Sequence, residues 1–346
     1  MNEPVSLYTQ VRHVRLQRFR RWMGITIGLL LLSIAGWWLT LLLGQSYTPP
    51  PVVWQVLSGE NVPGASFTVG HLRLPRAIAS LLAGMSFGMA GVAFQTMLRN
   101  SLASPDIVGV SSGASAAAVF AIIVLKMDGS SVAAFSIAVG LFVALLVYGL
   151  SYRNGIAGTR LILVGIGISA MIESCIAYLL SQANSWDLQE AMRWLTGSVN
   201  SVQIHQTLPL LASLVLFGGL LLCRKRDLDA LRMGEDTAAA LGVNIRLTRI
   251  TVIVCAVGLI AVATSVTGPI AFVAFLSGPI AARILKGSGS LLIPSALVGA
   301  GLVLFSDYIG QFLLPSRYPV GVVTGALGAP YLIYLIIRVN RKGGSL

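Results

Sequence analysis

Side chains able to carry chemistry are scarce in this chain. Histidine occurs only at His13, His71 and His205, and cysteine only at Cys175, Cys223 and Cys255. The histidines are scattered among loops, which excludes an HExxH-type zinc site. The cysteines lie inside or at the end of apolar runs, with no CxxC spacing and no neighbouring histidine, and read as small apolar residues. No metal and no cofactor is expected. The phosphate loop GxxxxGK[ST] is missing, so the chain lacks that device for hydrolysing ATP. Asp, Glu and Ser form no recognisable catalytic cluster, which leaves an enzyme without residues to carry it. Gly165-Ile166-Gly167-Ile168-Ser169-Ala170 does fit the loose dinucleotide pattern, with Asp187 twenty residues past Gly167. It lies inside an apolar run, however, and not between a strand and a helix as that site requires.

Charge is equally sparse, at 10% of residues against 55% hydrophobic, and no stretch is long enough for a separate soluble domain. What the chain has instead is apolar runs. A helix rises about 1.5 Å per residue, so roughly 20 apolar residues cross the hydrocarbon of a bilayer. Ten such runs occur, near 23–44, 77–98, 107–125, 131–150, 161–181, 206–223, 250–267, 270–285, 291–314 and 319–337. The first is longer than a signal-peptide core and has no small-residue cleavage site after it, so it reads as a retained span.

Lys and Arg collect in every second gap. With a cytoplasmic N-terminus, 19 fall inside and only Arg73, Arg76, Lys126, Arg193 and Arg317 outside, accounting for all 24. Such a bias supports both the span count and an orientation with both termini cytoplasmic. It also accounts for the net charge of +12 without nucleic acid. The expectation is an all-α polytopic membrane protein with a basic segment 1–21, a single membrane domain 22–338 and a short tail 339–346.

Glycine, at 37 residues, needs a reason in helices that it weakens. Close packing supplies one: Gly84, Gly88 and Gly91 form one small-residue face, and Gly165, Gly167 and Ser169 are expected to form another. Pro75, Pro105, Pro209, Pro269, Pro279, Pro319 and Pro330 are expected at span ends or breaks. The gap 182–205, with Trp186, Trp194, Asp187, Glu190 and Arg193, suits a short amphipathic helix along the interface. In the gap 224–249, residues 233–243 put acids first, alanines next and Gly242 near the end, reading as a short cytoplasmic helix that either tidies a loop or docks a partner. Two acids lie within spans: Asp307 reads as a paired packing residue, and Glu173 is open between packing and a pathway role.

Several of these segments form a pattern. Arg73-Leu74-Pro75-Arg76 is followed by Gly84, Gly91, Gln95, then Arg99-Asn100-Ser101-Leu102-Ala103-Ser104-Pro105-Asp106 and Gly113-Ala114. Trp194-Leu195-Thr196-Gly197-Ser198, the 233–243 segment, Gly268-Pro269-Ile270-Ala271-Phe272-Val273, Pro319-Val320-Gly321-Val322 and Leu327-Gly328-Ala329-Pro330 come after. In order and spacing, over about 270 residues, this resembles the FecCD-type iron-siderophore permeases of bacterial ABC importers, which include the vitamin B12 permease. Arg153-Asn154-Gly155-Ile156, Gly165-Ile166-Gly167-Ile168 and Met233-Gly234-Glu235-Asp236-Thr237 are most similar to the branch that passes ferric enterobactin.

The resemblance implies a BtuC-like fold of ten helices in the inner membrane and a second permease subunit, a paralogue more than an identical copy. It also implies two copies of a cytoplasmic ABC ATPase, an extracytoplasmic siderophore-binding protein, and no enzymatic activity in this chain. Arg73 and Arg76 would receive acidic side chains of the binding protein. A third docking arginine of the B12 permease aligns with Gln311, and Arg317 in the next loop would substitute for it. Within a coupling segment at about 227–246, Met233, Gly234, Glu235, Asp236, Thr237, Ala238, Leu241 and Gly242 would fit a cleft in the ATPase. Asn100 and Leu102 match a cytoplasmic gate, although Ser101 replaces the usual proline between them. Ser277-Gly278-Pro279-Ile280 likewise lacks a Pro-His pair common in relatives. Gly165, Ser169 and Glu173 are candidate pathway residues. The competing expectation is an ion-coupled secondary transporter using Glu173 and Asp307.

Overall fold

The computed structural model describes residues 7–151, 158–200 and 202–341. Arg153-Asn154-Gly155-Ile156 and Lys342 lie outside them. The described chain is helical throughout and consists of α1 (Leu7–Leu42), α2 (Pro50–Leu57), α3 (Ser66–Leu98), α4 (Val110–Ile123), α5 (Gly129–Ser151), α6 (Gly158–Ser181) and α7 (Ser185–Leu195), followed by α8 (Ile204–Cys223), α9 (Lys225–Leu231), α10 (Glu235–Ala240), α11 (Ile245–Thr267), α12 (Val273–Leu285), α13 (Leu292–Leu313) and α14 (Val320–Arg341). Seven of these, α1, α3, α5, α6, α8, α11 and α13, are long and apolar enough to cross a membrane. The apolar helices α4 and α12 and the apolar part of α14 are shorter. Each of the ten apolar runs is therefore a helix. The 14 residues of α4 reach only about 21 Å of a ~30 Å hydrocarbon layer. A short span is tolerated where protein covers its ends, and α4 and α12 are both largely buried among their neighbours.

Helix α3 is the hub, packing along α11, α12 and α13, while α4 packs on α5 and α6 and α1 on α13. The main core contains Phe87 and Phe94 of α3 and Leu259 and Ile260 of α11. Lipid tails are as apolar as leucine, so burying leucine gains little between membrane helices, and close approach with dispersion contact has to hold them together. The stripe Gly84, Gly88, Gly91 supplies that approach. A Cβ at Gly91 would fall 1.8 Å from the Ala274 carbonyl oxygen of α12, and one at Gly88 2.3 Å from that of Ser295 on α13. The expected second stripe is used in part: Gly165 is buried and a Cβ at Gly109 would lie 3.7 Å from Ser169 Oγ, whereas nothing lies within 4 Å of a Cβ at Gly167, on the least buried of the long spans.

Two further features depart from the sequence reading. Helix α1 starts well before the apolar run at Met23 and is continuous from Leu7, because residues 7–23 contain no helix breaker and arginine is a good helix former. Pro209, Pro279 and Pro330 lie inside α8, α12 and α14, not at breaks. Neighbouring helices tolerate the freed carbonyls, and α8 relaxes into a π-wound turn at Leu214–Gly218 just after its proline.

Replacement Gly91→Val is expected to lower the stability of the detergent-solubilised chain by about 1–3 kcal/mol, the usual cost of overpacking, read as a lower melting temperature. Gly167→Val should melt like the wild type.

Candidate functional site

Two clusters stand at opposite ends of the bundle. At the end where α1 begins, α9, α10 and the start of α11 fold into a compact knob. Helix α10 begins with Glu235 and Asp236, where carboxylates favour the helix dipole. Its Ala238 is fully buried against Ala230, Leu231, Val243 and Ile245. The Glu235 carboxylate accepts from Arg249 of α11, and Asn244 caps α11 by accepting from the Leu247 amide at 3.0 Å. Gly234 (φ +117°) and Gly242 (φ +82°) turn the chain at either side. With one face fixed, the other presents Met233 at 60% and Leu241 at 62% exposure, together with Asp236 and Thr237. Two large apolar side chains are thus held in the open on a fixed mount.

The loop after α3 adjoins this knob, and a side chain at Gly234 would meet the Arg99 guanidinium at 3.7 Å. Asn100 is exposed and its Oδ1 accepts from the Leu102 amide at 2.9 Å, closing an Asx turn. That turn fixes the backbone across Ser101. Asp106 ties the loop to α4, accepting from Ser104 Oγ at 3.0 Å and from Ser111 Oγ at 2.5 Å. The same end is pinned to α1 by Trp22, whose indole donates to the Ser290 carbonyl at 2.8 Å while Lys225 lies over its ring.

At the far end, Arg73 closes the π-wound segment Ser66–Arg73 and Arg76 sits in the first turn of the α-wound part of α3. Both are committed within the chain, which the sequence reading, with its two free arginines, does not anticipate. Arg73 donates to the carbonyls of Leu41 (2.8 Å), Leu42 (3.2 Å) and Ser46 (2.7 Å) and to Thr48 Oγ1 (3.1 Å), fastening the turn after α1. Arg76 grips Asp307 of α13 with one side edge of its guanidinium, Nε to Oδ2 at 2.6 Å and Nη2 to Oδ1 at 2.7 Å, and donates from Nη1 to Asn200 Oδ1 at 3.0 Å. Asp307 is thus a paired packing residue, as expected. Asn200 was missed by sequence reasoning, since nothing around a lone polar residue in a loop marks it. Gln311 is buried, its amide donating to the Tyr318 carbonyl at 3.5 Å, whereas Arg317 in the following loop is exposed.

Motifs that lie far apart in sequence meet at this end. The Ser198 amide donates to the Thr267 carbonyl at 2.6 Å and the Gly321 amide to that of Gly197 at 3.1 Å. Backbones touch so closely that a Cβ at Gly321 would lie 1.9 Å from the Thr196 oxygen. Beside them α7 forms as expected from the amphipathic gap, with Asn184 Oδ1 accepting from the amides of Trp186 and Asp187. On α6, Gly165 is buried, Ser169 half-buried and Glu173 exposed. Glu173 and Asp307 form no joint ion site, because Asp307 is neutralised by Arg76 while Glu173 faces outward. Among the described residues no cluster of three His, Cys, Asp or Glu side chains could hold a metal.

Comparison with known proteins agrees with this architecture. The ferric enterobactin transport system permease FepG of Escherichia coli K12 is 38% identical over 293 residues, 84% of this chain and 88% of that protein. The achromobactin transport system permease CbrC of Dickeya dadantii 3937 is 34% identical over 89% of this chain and 90% of its own, and the vitamin B12 permease BtuC of Vibrio cholerae is 33% identical over 93% and 95%. A solved metal-chelate-type ABC transporter in an inward-facing conformation superposes with a TM-score of 0.81 at 26% identity, covering 91% of this chain and 99% of that one. The model of the FecCD transport family matches residues 30–338, and on that match, with the ten apolar helices and convergent motif loops that underlie it, the chain belongs to the FecCD transport family.

Proposed function

We propose that this chain is the transmembrane permease subunit of an importer for ferric siderophores, with catecholate cargo of the enterobactin type favoured. The observation that carries the reading is the 38% identity to a ferric enterobactin permease over 84% of the chain. Cargo arrives from an extracytoplasmic binding protein at the end holding Arg73, Arg76 and Arg317, and energy arrives from two separate ATPase subunits at the knob. A second permease subunit, a paralogue in preference to a copy, completes the pathway, and the exposed face of α6 with Glu173 is turned towards it. Both termini are cytoplasmic in this arrangement, in accord with the charge bias.

The chemistry of each end supports the division of labour. Met233 and Leu241 offer an apolar contact to the ATPase, and the rest of the knob is tied to α11 through Arg249 and Asn244, so a push on it moves a span. Asn100 and Leu102 stand next to that knob and gate the pathway. At the docking end, charges steer and orient a partner more than they add affinity. Arg73 suits this role although its donors are engaged: its acceptors are carbonyls and hydroxyls, so its positive charge is not neutralised.

In proteoliposomes containing this chain with its second permease subunit and ATPase, uptake of iron-loaded enterobactin is expected to require both the binding protein and internal ATP, and to exceed uptake of a hydroxamate siderophore. Equal uptake with an ion gradient alone would refute the reading. Replacing Met233 and Leu241 together by Asp should weaken association with the ATPase by roughly tenfold or more, the equivalent of losing about 1.4 kcal/mol, while the variant still inserts and binds the binding protein. Unaltered ATPase association, measured by co-purification and titration, would remove the knob from the coupling role.

A further inference from the structure

We infer that Asp307 and Asn200 hold Arg76 in an internal latch that competes with the docking of an outside carboxylate, so that Asp307 sets how far Arg76 is available to the binding protein. The inference deepens the docking reading above and rests on it.

A guanidinium has five N–H donors arranged in a planar fork. Asp307 occupies the side edge formed by Nε and Nη2, and Asn200 takes one donor of Nη1. Two N–H groups remain, one on each Nη. A second carboxylate has only these to bind, and Asn200, which is exposed, already holds one of the two nitrogens. The ion pair itself is nearly closed to solvent, with side-chain exposures of 15% for Arg76 and 8% for Asp307, and the Phe312 ring lies 5.9 Å from the guanidinium carbon. In such surroundings one carboxylate already neutralises the arginine. A second gains little unless the first lets go, because two like charges would share one cation. Arg73 differs: with no carboxylate among its acceptors, it acts on an incoming acid without any exchange.

The latch also sits where two helices change their winding. Helix α3 is π-wound up to Arg73 and α-wound from Leu74, and α13 is α-wound to Tyr308 and π-wound over Ile309–Leu313. Arg76 and Asp307 thus join two helices on the α side of both junctions, within three residues of each. Segments with π winding are frequent at functional positions. Release of the pair would free both π-wound ends together with the loop bearing Asn200, so docking and movement of the outer rim become one event. A buried pair contributes little net stability compared with an apolar replacement, and it is better suited to fixing one arrangement out of two.

The test uses the assembled transporter without nucleotide, titrated with cargo-loaded binding protein. Asp307→Asn keeps the shape, leaves Arg76 charged and is expected to tighten binding by on the order of fivefold, the low end of ordinary coupling between two sites. The gain should shrink at high salt and vanish in the double variant with Arg76→Gln. Asn200→Ala, which alters an exposed side chain, should tighten binding to a smaller extent and provides the reading if Asp307→Asn fails to insert. Unchanged or weaker binding in a correctly inserted Asp307→Asn, or in Asn200→Ala if that variant must stand in, overturns the latch. If Arg76→Gln alone weakens binding, docking stands whatever the fate of the latch. If it leaves binding unchanged, the docking reading itself falls.

Discussion

Everything in this bundle depends on how closely the backbone of α3 approaches those of α12 and α13. Inside a bilayer, water does not press apolar faces together, so the helices are held by contact at short range. Gly84, Gly88 and Gly91 place carbonyl groups of the neighbouring helices where a Cβ would otherwise stand. The buried Gln95 amide, donating to the Phe275 carbonyl at 2.9 Å, adds a directed bond on the same side of α3. An assembly of this kind behaves as a stiff body, because a close-packed contact between backbones has few alternative arrangements.

That stiffness gives the two ends a mechanical relation. Helix α3 runs from the Arg73 and Arg76 cluster at one end to Arg99 and the Asx turn of Asn100 at the other. The knob formed by α9 and α10 stands beside this second end and is fastened to α11, which also packs along α3. Met233 and Leu241 are thereby joined through packed helices to the core that carries Arg73 and Arg76. A chain of packed elements with two discrete arrangements is the physical requirement for such coupling. The ion pair between Arg76 and Asp307 ties α3 to α13 at the first of these ends.

Much of this was legible in the sequence, and the exceptions share a cause. The ten helices followed from apolar runs and charge bias, and α10 followed from acids, alanines and a glycine in the right order, because local signals suffice for both. The motif loops were recognised singly, but that Pro269 and Gly321 both come up against the Thr196-Gly197 segment depends on chain reversals that no local pattern encodes. The same holds for Arg76 and Asp307, 231 residues apart, although an acid in a span invited a partner. Helix α1 began earlier than expected because hydropathy marks where a helix enters lipid and not where it starts. Of the stripe Gly165, Gly167 and Ser169 only Gly167 is left open within the chain, since sequence marks a small-residue face without saying what covers each position.

The central claim is that nucleotide acts on the far end of a stiff membrane body through the knob. Spin labels placed at Leu314, in the exposed loop after α13, and at Asn61, in the loop between α2 and α3, on a cysteine-free background report that end directly. In the assembled transporter, pulsed dipolar spectroscopy is expected to show a shifted distance distribution when the ATPase binds nucleotide, and the resting distribution at all times once residues 235–240 are replaced by a flexible linker. An identical nucleotide-driven shift in the protein lacking that helix would contradict the account.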